Sequence, residues 1–164
     1  MSCFSVPSPA NDYLAEHVGR LLRSYRELTG RYLITPNEDS MDPIELARRV
    51  NEAPFFVASH DTAGDPVLDY GNRCALKLFA MDWEQFTSTP SRFTAEAPNR
   101  EERETLLRRV CEHGYIDNYS GVRIASDGRR FKISQASVWN LTDEQGEKCG
   151  QAATFSEWAY LPNP

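Results

Sequence analysis

The chain has 164 residues, 40% hydrophobic and 26% charged, which suits a single domain with its own core and is unlike a disordered chain. A formal net charge of −6 repels phosphate backbones and argues against direct binding of nucleic acid. No apolar run approaches the ~20 residues that cross a bilayer, and residues 1–11 lack the basic and apolar stretches of a signal peptide, so a cytoplasmic location off the membrane is expected.

Residues 1–11, with Pro7 and Pro9, read as a flexible lead-in, and residues 12–164 as one domain. Asn11 or Asp12 can cap a first helix. Leu14, Val18, Leu21, Leu22, Tyr25 and Leu28 then recur three and four apart, and Gly30 closes the helix. That apolar stripe must be covered, either by the sheet of its own domain or by the same helix of a second copy, which would make a homodimer. Asp42-Pro43 is a cap followed by proline at the first helical position, so a second helix runs through Ile44, Leu46, Ala47 and Val50 and stops before Pro54.

Short strands are expected at 55–58 and 67–70, joined by a turn holding Gly64 and Pro66. Asn72 caps a helix with Ala75, Leu76, Leu78 and Phe79, and Asp82 opens a short helical turn around Trp83 and Phe86. Asn99 is expected to cap a long helix to His113. Leu106, Leu107, Val110 and Cys111 form its buried face, and Gly114 ends it. Three strands complete the chain, at 115–125, 130–141 and 147–161, separated by turns at 126–129 and 143–146. Helices, two strands, three helices and three strands make an α+β domain: a PAS-like five-stranded antiparallel sheet, helices on one face, plus an N-terminal helix.

Several strings are more telling than the periodicity: Ser59-His60-Asp61-Thr62, Tyr70-Gly71-Asn72-Arg73-Cys74-Ala75-Leu76, Pro90-Ser91-Arg92, Asn99-Arg100-Glu101-Glu102-Arg103, Tyr119-Ser120-Gly121-Val122-Arg123-Ile124, Val138-Trp139-Asn140 and Gly150-Gln151-Ala152-Ala153. On these the chain resembles the MEKHLA family, a PAS-related group, over about residues 13–161. The family includes short stand-alone proteins and the C-termini of plant homeodomain–leucine-zipper regulators, and this chain resembles the stand-alone kind. The resemblance implies a PAS-like fold and a sensing or regulatory role, with output through a separate effector protein. It implies no reaction. The Asn-Cys-Arg-Phe-Leu-Gln string of flavin photosensors is missing, since Cys74 follows Arg73 on an earlier helix.

Ser59-His60-Asp61 spells a catalytic triad, but neighbours on a strand point to opposite faces and cannot converge. His60 itself could serve as a metal ligand, a proton switch or a hydrogen-bonded strand end. His113 could ligate haem or simply complement a helix C-terminus. His17, His60 and His113 fall in separate elements, so a zinc site has little support. No motif for flavin, haem, nucleotide or metal occurs, which leaves the cofactor unknown. Cys3, Cys74, Cys111 and Cys149 form no Cys-x-x-Cys pair and read as free thiols, with Cys74 and Cys111 buried on helices. Redox sensing through Cys74 or Cys149 stays open.

His60, Tyr70, Asn72, Arg73, Trp83, Tyr119, Arg123, Trp139, Asn140 and Gln151 come from elements that would border one cavity in a PAS fold, and are the candidate ligand-binding set. The bland alternative makes Trp83 and Trp139 core, Asn72 a cap and Arg123 a solvated sheet residue. The expected function is a non-enzymatic sensory module that binds a small ligand and relays its occupancy to a partner. The alternative is a ligand-free interaction or dimerisation module, and cavity volume discriminates the two.

Overall fold

A computed structural model describes residues 4–162; Cys3 lies outside this range. A short 3-10 turn, Pro9–Leu14, precedes the first helix. Ser8 Oγ accepts from the Ala10 amide at 3.2 Å and Asn11 Oδ1 accepts from the Ser8 amide at 2.9 Å. Asn11 therefore serves the turn rather than the helix. Asp12, Tyr13 and Leu14 all take left-handed backbone conformations, which moves the start of α1 to Ala15.

Helix α1 (Ala15–Thr29) ends at Gly30, at φ 74, whose amide bonds to the Arg26 carbonyl. Helix α2 (Pro43–Glu52) is capped by Asp42, whose carboxylate accepts from the Glu45 amide at 3.0 Å. Strands β1 (Phe56–His60) and β2 (Leu68–Gly71) form the first hairpin. Helices α3 (Arg73–Phe79) and α4 (Trp83–Phe86) follow, capped by Asn72 and Asp82. Helix α5 (Ala97–His113) starts earlier than expected: Asn99 lies inside it, its amide donating to the Glu96 carbonyl at 2.8 Å.

The sheet runs β2-β1-β5-β4-β3, with every pairing antiparallel. Its long strands are β3 (Tyr115–Ile124), β4 (Arg130–Thr142) and β5 (Lys148–Phe155). The single last strand expected at 147–161 breaks at Ser156 into β5 and a short β6 (Glu157–Tyr160). β5 pairs with the end of β4, and β6 pairs with its start.

Side chains alternate across this sheet, and each face has its own core. On one face Val57, Tyr70, Trp139, Leu141 and Ala152 meet Val18, Leu21, Leu22 and Tyr25 of α1 and Leu46, Ala47 and Val50 of α2. The α1 stripe thus covers the sheet of its own domain, and each such side chain contributes about 1.5–3 kcal/mol relative to exposure. On the other face Phe56, Ala58, Phe131, Ile133, Ala136 and Phe155 meet Ala75, Leu78 and Phe79 of α3 and Phe86 of α4. Leu106 and Val110 of α5 pack on Val138. Gly71 is required here, because a Cβ would stand 2.7 Å from the Phe86 ring.

Two cysteines sit differently from the expectation. Cys111 is exposed and Cys74 half-buried, because α5 turns Arg103, Leu106 and Val110 inward rather than the Cys111 edge.

Candidate ligand cavity

The second face of the sheet encloses a cavity of about 90 Å³ between the strands and helices α3, α4 and α5. Its wall is largely apolar, built from such side chains as Phe56, Phe79, Phe86, Ile133 and Phe155. An outer basin of about 570 Å³ adjoins it, and the two share His60, Arg103, Leu107 and Gln151, which form a neck.

Each neck residue is positioned by its element. His60 ends β1 at a bulge and bonds the Asp61 carbonyl through Nδ1 at 2.7 Å. Its Nε2 is buried with no hydrogen-bond partner among the described residues. Burial holds the imidazole below its ordinary pKa of 6.5; the Asp61 carbonyl opposes this and the Arg103 charge adds to it. The neutral ring donates from Nδ1 and presents a bare Nε2 acceptor. Gln151 is braced on both sides, donating Nε2 to the Leu107 carbonyl at 3.2 Å and to Asn140 Oδ1 at 3.1 Å. Asn140 donates in turn to the Val110 carbonyl at 3.1 Å, tying β4 to the end of α5.

Tyr119, Gly121 and Arg123 alternate along one face of β3. Arg123 donates Nη2 to the Tyr119 hydroxyl at 3.0 Å and Nη1 to its neighbour's carbonyl, that of Val122, at 2.8 Å. Gly121 makes this possible, since a Cβ there would lie 2.4 Å from the Tyr119 hydroxyl and 3.1 Å from Arg123 Nη1. Arg103 reaches the same cavity from α5 and is only 8% exposed. Burial, reinforced by the Arg123 charge, brings its pKa down to about 10, so it remains a cation at neutral pH.

Of the candidate set, then, His60, Tyr119, Arg123 and Gln151 line the cavity, and Asn140 braces it from behind. The other five lie elsewhere. Tyr70, Trp83 and Trp139 belong to the core under α1 and α2. Asn72 is a fully buried cap. Arg73 is a surface residue whose guanidinium lies 3.8 Å from Glu52. Arg103 was the residue to find: Arg103, Leu106 and Val110 fall at i, i+3 and i+7, the spacing that places a side chain on the inner stripe.

Ser59 and His60 do point to opposite faces. Ser59 Oγ stands on the α1 side, donating to Asp69 Oδ1 at 2.5 Å and meeting His17 Nε2 at 3.0 Å. Because the hydroxyl hydrogen goes to Asp69, His17 must donate to Ser59 and cannot take its proton. The cluster is wired as a buried polar bridge between α1, β1 and β2, not as a triad. His113 is exposed and outside the cavity wall. Among the described residues no group of three or more His, Cys, Asp or Glu is placed to hold a metal. Burial pushes the Cys74 and Cys149 thiols up, away from the reactive thiolate form.

His17, like His60, is held below its ordinary pKa of 6.5 by burial; Asp69 opposes the shift and Arg20 adds to it. When pH falls through 6.5, the unfolded chain takes up protons that the folded chain refuses. Stability is therefore flat above that value and is lost as pH drops toward the depressed folded values. The expected result is an unfolding free energy, read by urea titration, that declines below about pH 6.5, by up to ~1 kcal/mol per histidine per pH unit. A His17→Asn, His60→Gln double variant should decline less over the same window. Equal declines in the two proteins would assign the acid sensitivity to other groups.

The sheet order, the helices packed across one face and the cavity beneath α5 together define a PAS-like α+β domain. The MEKHLA domain model matches residues 15–160, so the chain belongs to the MEKHLA domain family. The chain is 21% identical over 143 residues to the homeobox-leucine zipper protein ATHB-9 of Arabidopsis thaliana, covering 86% of this chain and 17% of that protein. The chain thus spans under a fifth of that relative's length.

Among solved structures, the PAS domain of a Colwellia psychrerythraea protein superposes with a TM-score of 0.58 at 16% identity, covering 67% of this chain and 91% of that one. A light-oxygen-voltage domain studied with a flavin analogue gives 0.57 at 15% identity, covering 72% and 85%. An RNA-binding light-oxygen-voltage receptor gives 0.60 at 18% identity, covering 79% and 34%. These likenesses establish the fold. In addition, no helix among the described residues is long and apolar enough to cross a membrane.

Proposed function

We propose that this domain is a non-catalytic sensory module that binds a small ligand in the cavity under α5 and relays its occupancy through the sheet to α1 and a partner protein. The observation that carries this reading is the convergence of His60, Arg103, Arg123 and Gln151 on an otherwise apolar cavity that leads outward to a basin. A few placed polar groups in an apolar wall are the mark of a small-molecule site.

The relay has a short path. Val138, Gln151 and Ala153 border the cavity, Trp139 next to Val138 lies in the core under α1, and Ala152 touches both. Trp139 also donates Nε1 to the Leu21 carbonyl of α1 at 3.2 Å. A shift of β4 or β5 at the cavity is therefore felt by α1 on the far side. A three-ring flavin, such as the flavin analogue in the second of those structures, does not fit. Drug-sized ligands need roughly 300 Å³ or more, against about 90 Å³ here. The same small volume favours a docking module that carries no ligand as the competing reading.

Native mass spectrometry of the purified protein decides between them. The expected spectrum shows a reproducible mass excess that Ala153→Leu, which fills the cavity, removes while the chain stays folded. A bare-chain mass, with no small molecule able to shift the melting temperature, would hand the protein to the docking reading.

A further inference from the structure

We propose that the cavity is an acid site: it takes a short-chain monocarboxylate, apolar tail inward and carboxylate on the neck side, against Arg103 of the neck and Arg123 of the cavity wall. The inference rests on the ligand-binding reading above and adds the chemical class of the ligand.

The charge inventory of the wall points this way. Two guanidinium groups line the cavity, both on residues only 8% exposed, and none of the lining residues is acidic. Arg123 spends its hydrogen bonds on a hydroxyl and a carbonyl, neither of them charged. Arg103 makes no hydrogen bond and no ion pair with any described residue, in a domain whose surface arginines are repeatedly paired, as Arg31 is with Asp117 at 2.7 Å. Taking a cation out of water costs several kcal/mol when nothing compensates it. Here two such cations are close enough to repel, and that repulsion contributes to bringing Arg103 down to about 10. An anion arriving at the neck would relieve both the desolvation and the repulsion. A carboxylate matches the planar fork of a guanidinium, which can offer it two parallel N–H groups.

The volume sets the length of the tail. A cavity of about 150 Å³ holds benzene, so about 90 Å³ holds roughly three or four carbons. The ring-lined wall of Phe56, Phe79 and Phe155 has nothing to offer a second charge. That favours a monocarboxylate such as butyrate over a dicarboxylate or a bare inorganic anion.

Butyrate is the probe, with 1-butanol, chloride and phosphate as controls. Thermal melting at constant ionic strength should show butyrate near saturation raising the midpoint by roughly 5–10 °C, while the controls move it much less. Arg103→Met should weaken butyrate at least about tenfold, since it deletes a charge-assisted contact. It should also leave the ligand-free protein as stable or more stable, because it removes an unpaired buried charge. A purely structural arginine would give the opposite sign in that second readout. Arg123→Gln, read for butyrate affinity alone, provides a second variant should the first misfold.

If butanol or phosphate matches butyrate, or if Arg103→Met binds butyrate as well as the parent, the acid site is wrong while the ligand-binding reading survives. If neither butyrate, butanol nor xenon shifts the melting or perturbs the resonances of cavity-lining methyl groups, both readings fall together.

Discussion

Replacing Asn72 by alanine is expected to cost about 3–5 kcal/mol, which is a large part of the roughly 5–15 kcal/mol that holds a domain together. The side-chain amide has two donors and two acceptor positions, and all four are used. Oδ1 accepts from the Val57 amide at 3.2 Å and from the Ala75 amide at 3.0 Å. Nδ2 donates to the Val50 carbonyl at 2.9 Å and to the Phe55 carbonyl at 2.8 Å. One residue thereby caps α3, closes the end of α2 and anchors the start of β1, in a place with no access to water. Alanine removes all four bonds; the Val50 carbonyl keeps the Ala53 amide at 3.3 Å, while the other three backbone groups lose this partner in a buried site, and each orphan costs about 1 kcal/mol or more.

Aspartate is the sharper probe. It keeps the two amide bonds to Oδ1, so a loss confined to the helix cap would make Asn72→Asp harmless. It also turns a carboxylate oxygen toward two carbonyls, so the loss should equal or exceed that of alanine. Thermal melting reads this as a fall of roughly 6–20 °C in both variants. A tolerated Asn72→Asp would show that the bonds to Val50 and Phe55 carry little.

Asn72 also shows where the sequence could be read and where it could not. Its role as a cap was legible, because an asparagine just before an apolar helical run offers the acceptor that free helix amides need. Its bonds to Val50 and Phe55 join three elements and have no local signature. The candidate site was legible by half for a related reason. Choosing cavity residues from strands requires knowing which parity faces which side, and bulges change the parity. On β4, Phe131 and Ile133 lie on the α3 side of the sheet, with Ile133 lining the cavity; Gln135 at φ 53 interrupts the alternation, and Ala136 and Val138 line the cavity after the interruption. Trp139 therefore belongs to the opposite core, although counting by twos from Phe131 puts it on the cavity side. Arg103 was missed for a different reason, since an arginine on a charged helix reads as solvated until the inner stripe is traced through it.

The second large effect concerns α1. Leu21 is fully buried in the core over the outer sheet face, and its carbonyl accepts from Trp139 at 3.2 Å. Leu21→Asp removes a buried leucine, worth about 2–5 kcal/mol, and sets a carboxylate in its place, adding a desolvation cost of similar size. The loss is comparable to what the buried side chains of α1 contribute by docking, so α1 should leave the sheet before the rest of the domain unfolds. Hydrogen exchange is then expected to show lost protection over residues 15–29 with β3, β4 and β5 still protected. Uncovering Trp139 and Leu141 should also make the variant associate in a concentration-dependent way. Glu27→Ala, on the exposed side of the same helix, should stay within about 0.5 kcal/mol of the parent.

If α1 is the output element, an undocked α1 alters the strands it rests on, and butyrate binding should change with it. A Leu21→Asp protein that keeps α1 protected and binds butyrate like the parent would remove α1 from the relay and direct the search for a partner surface to the β2 or β3 edge. Loss of protection throughout the chain would show instead that α1 and the sheet fold as one unit, with no separable element to carry a signal.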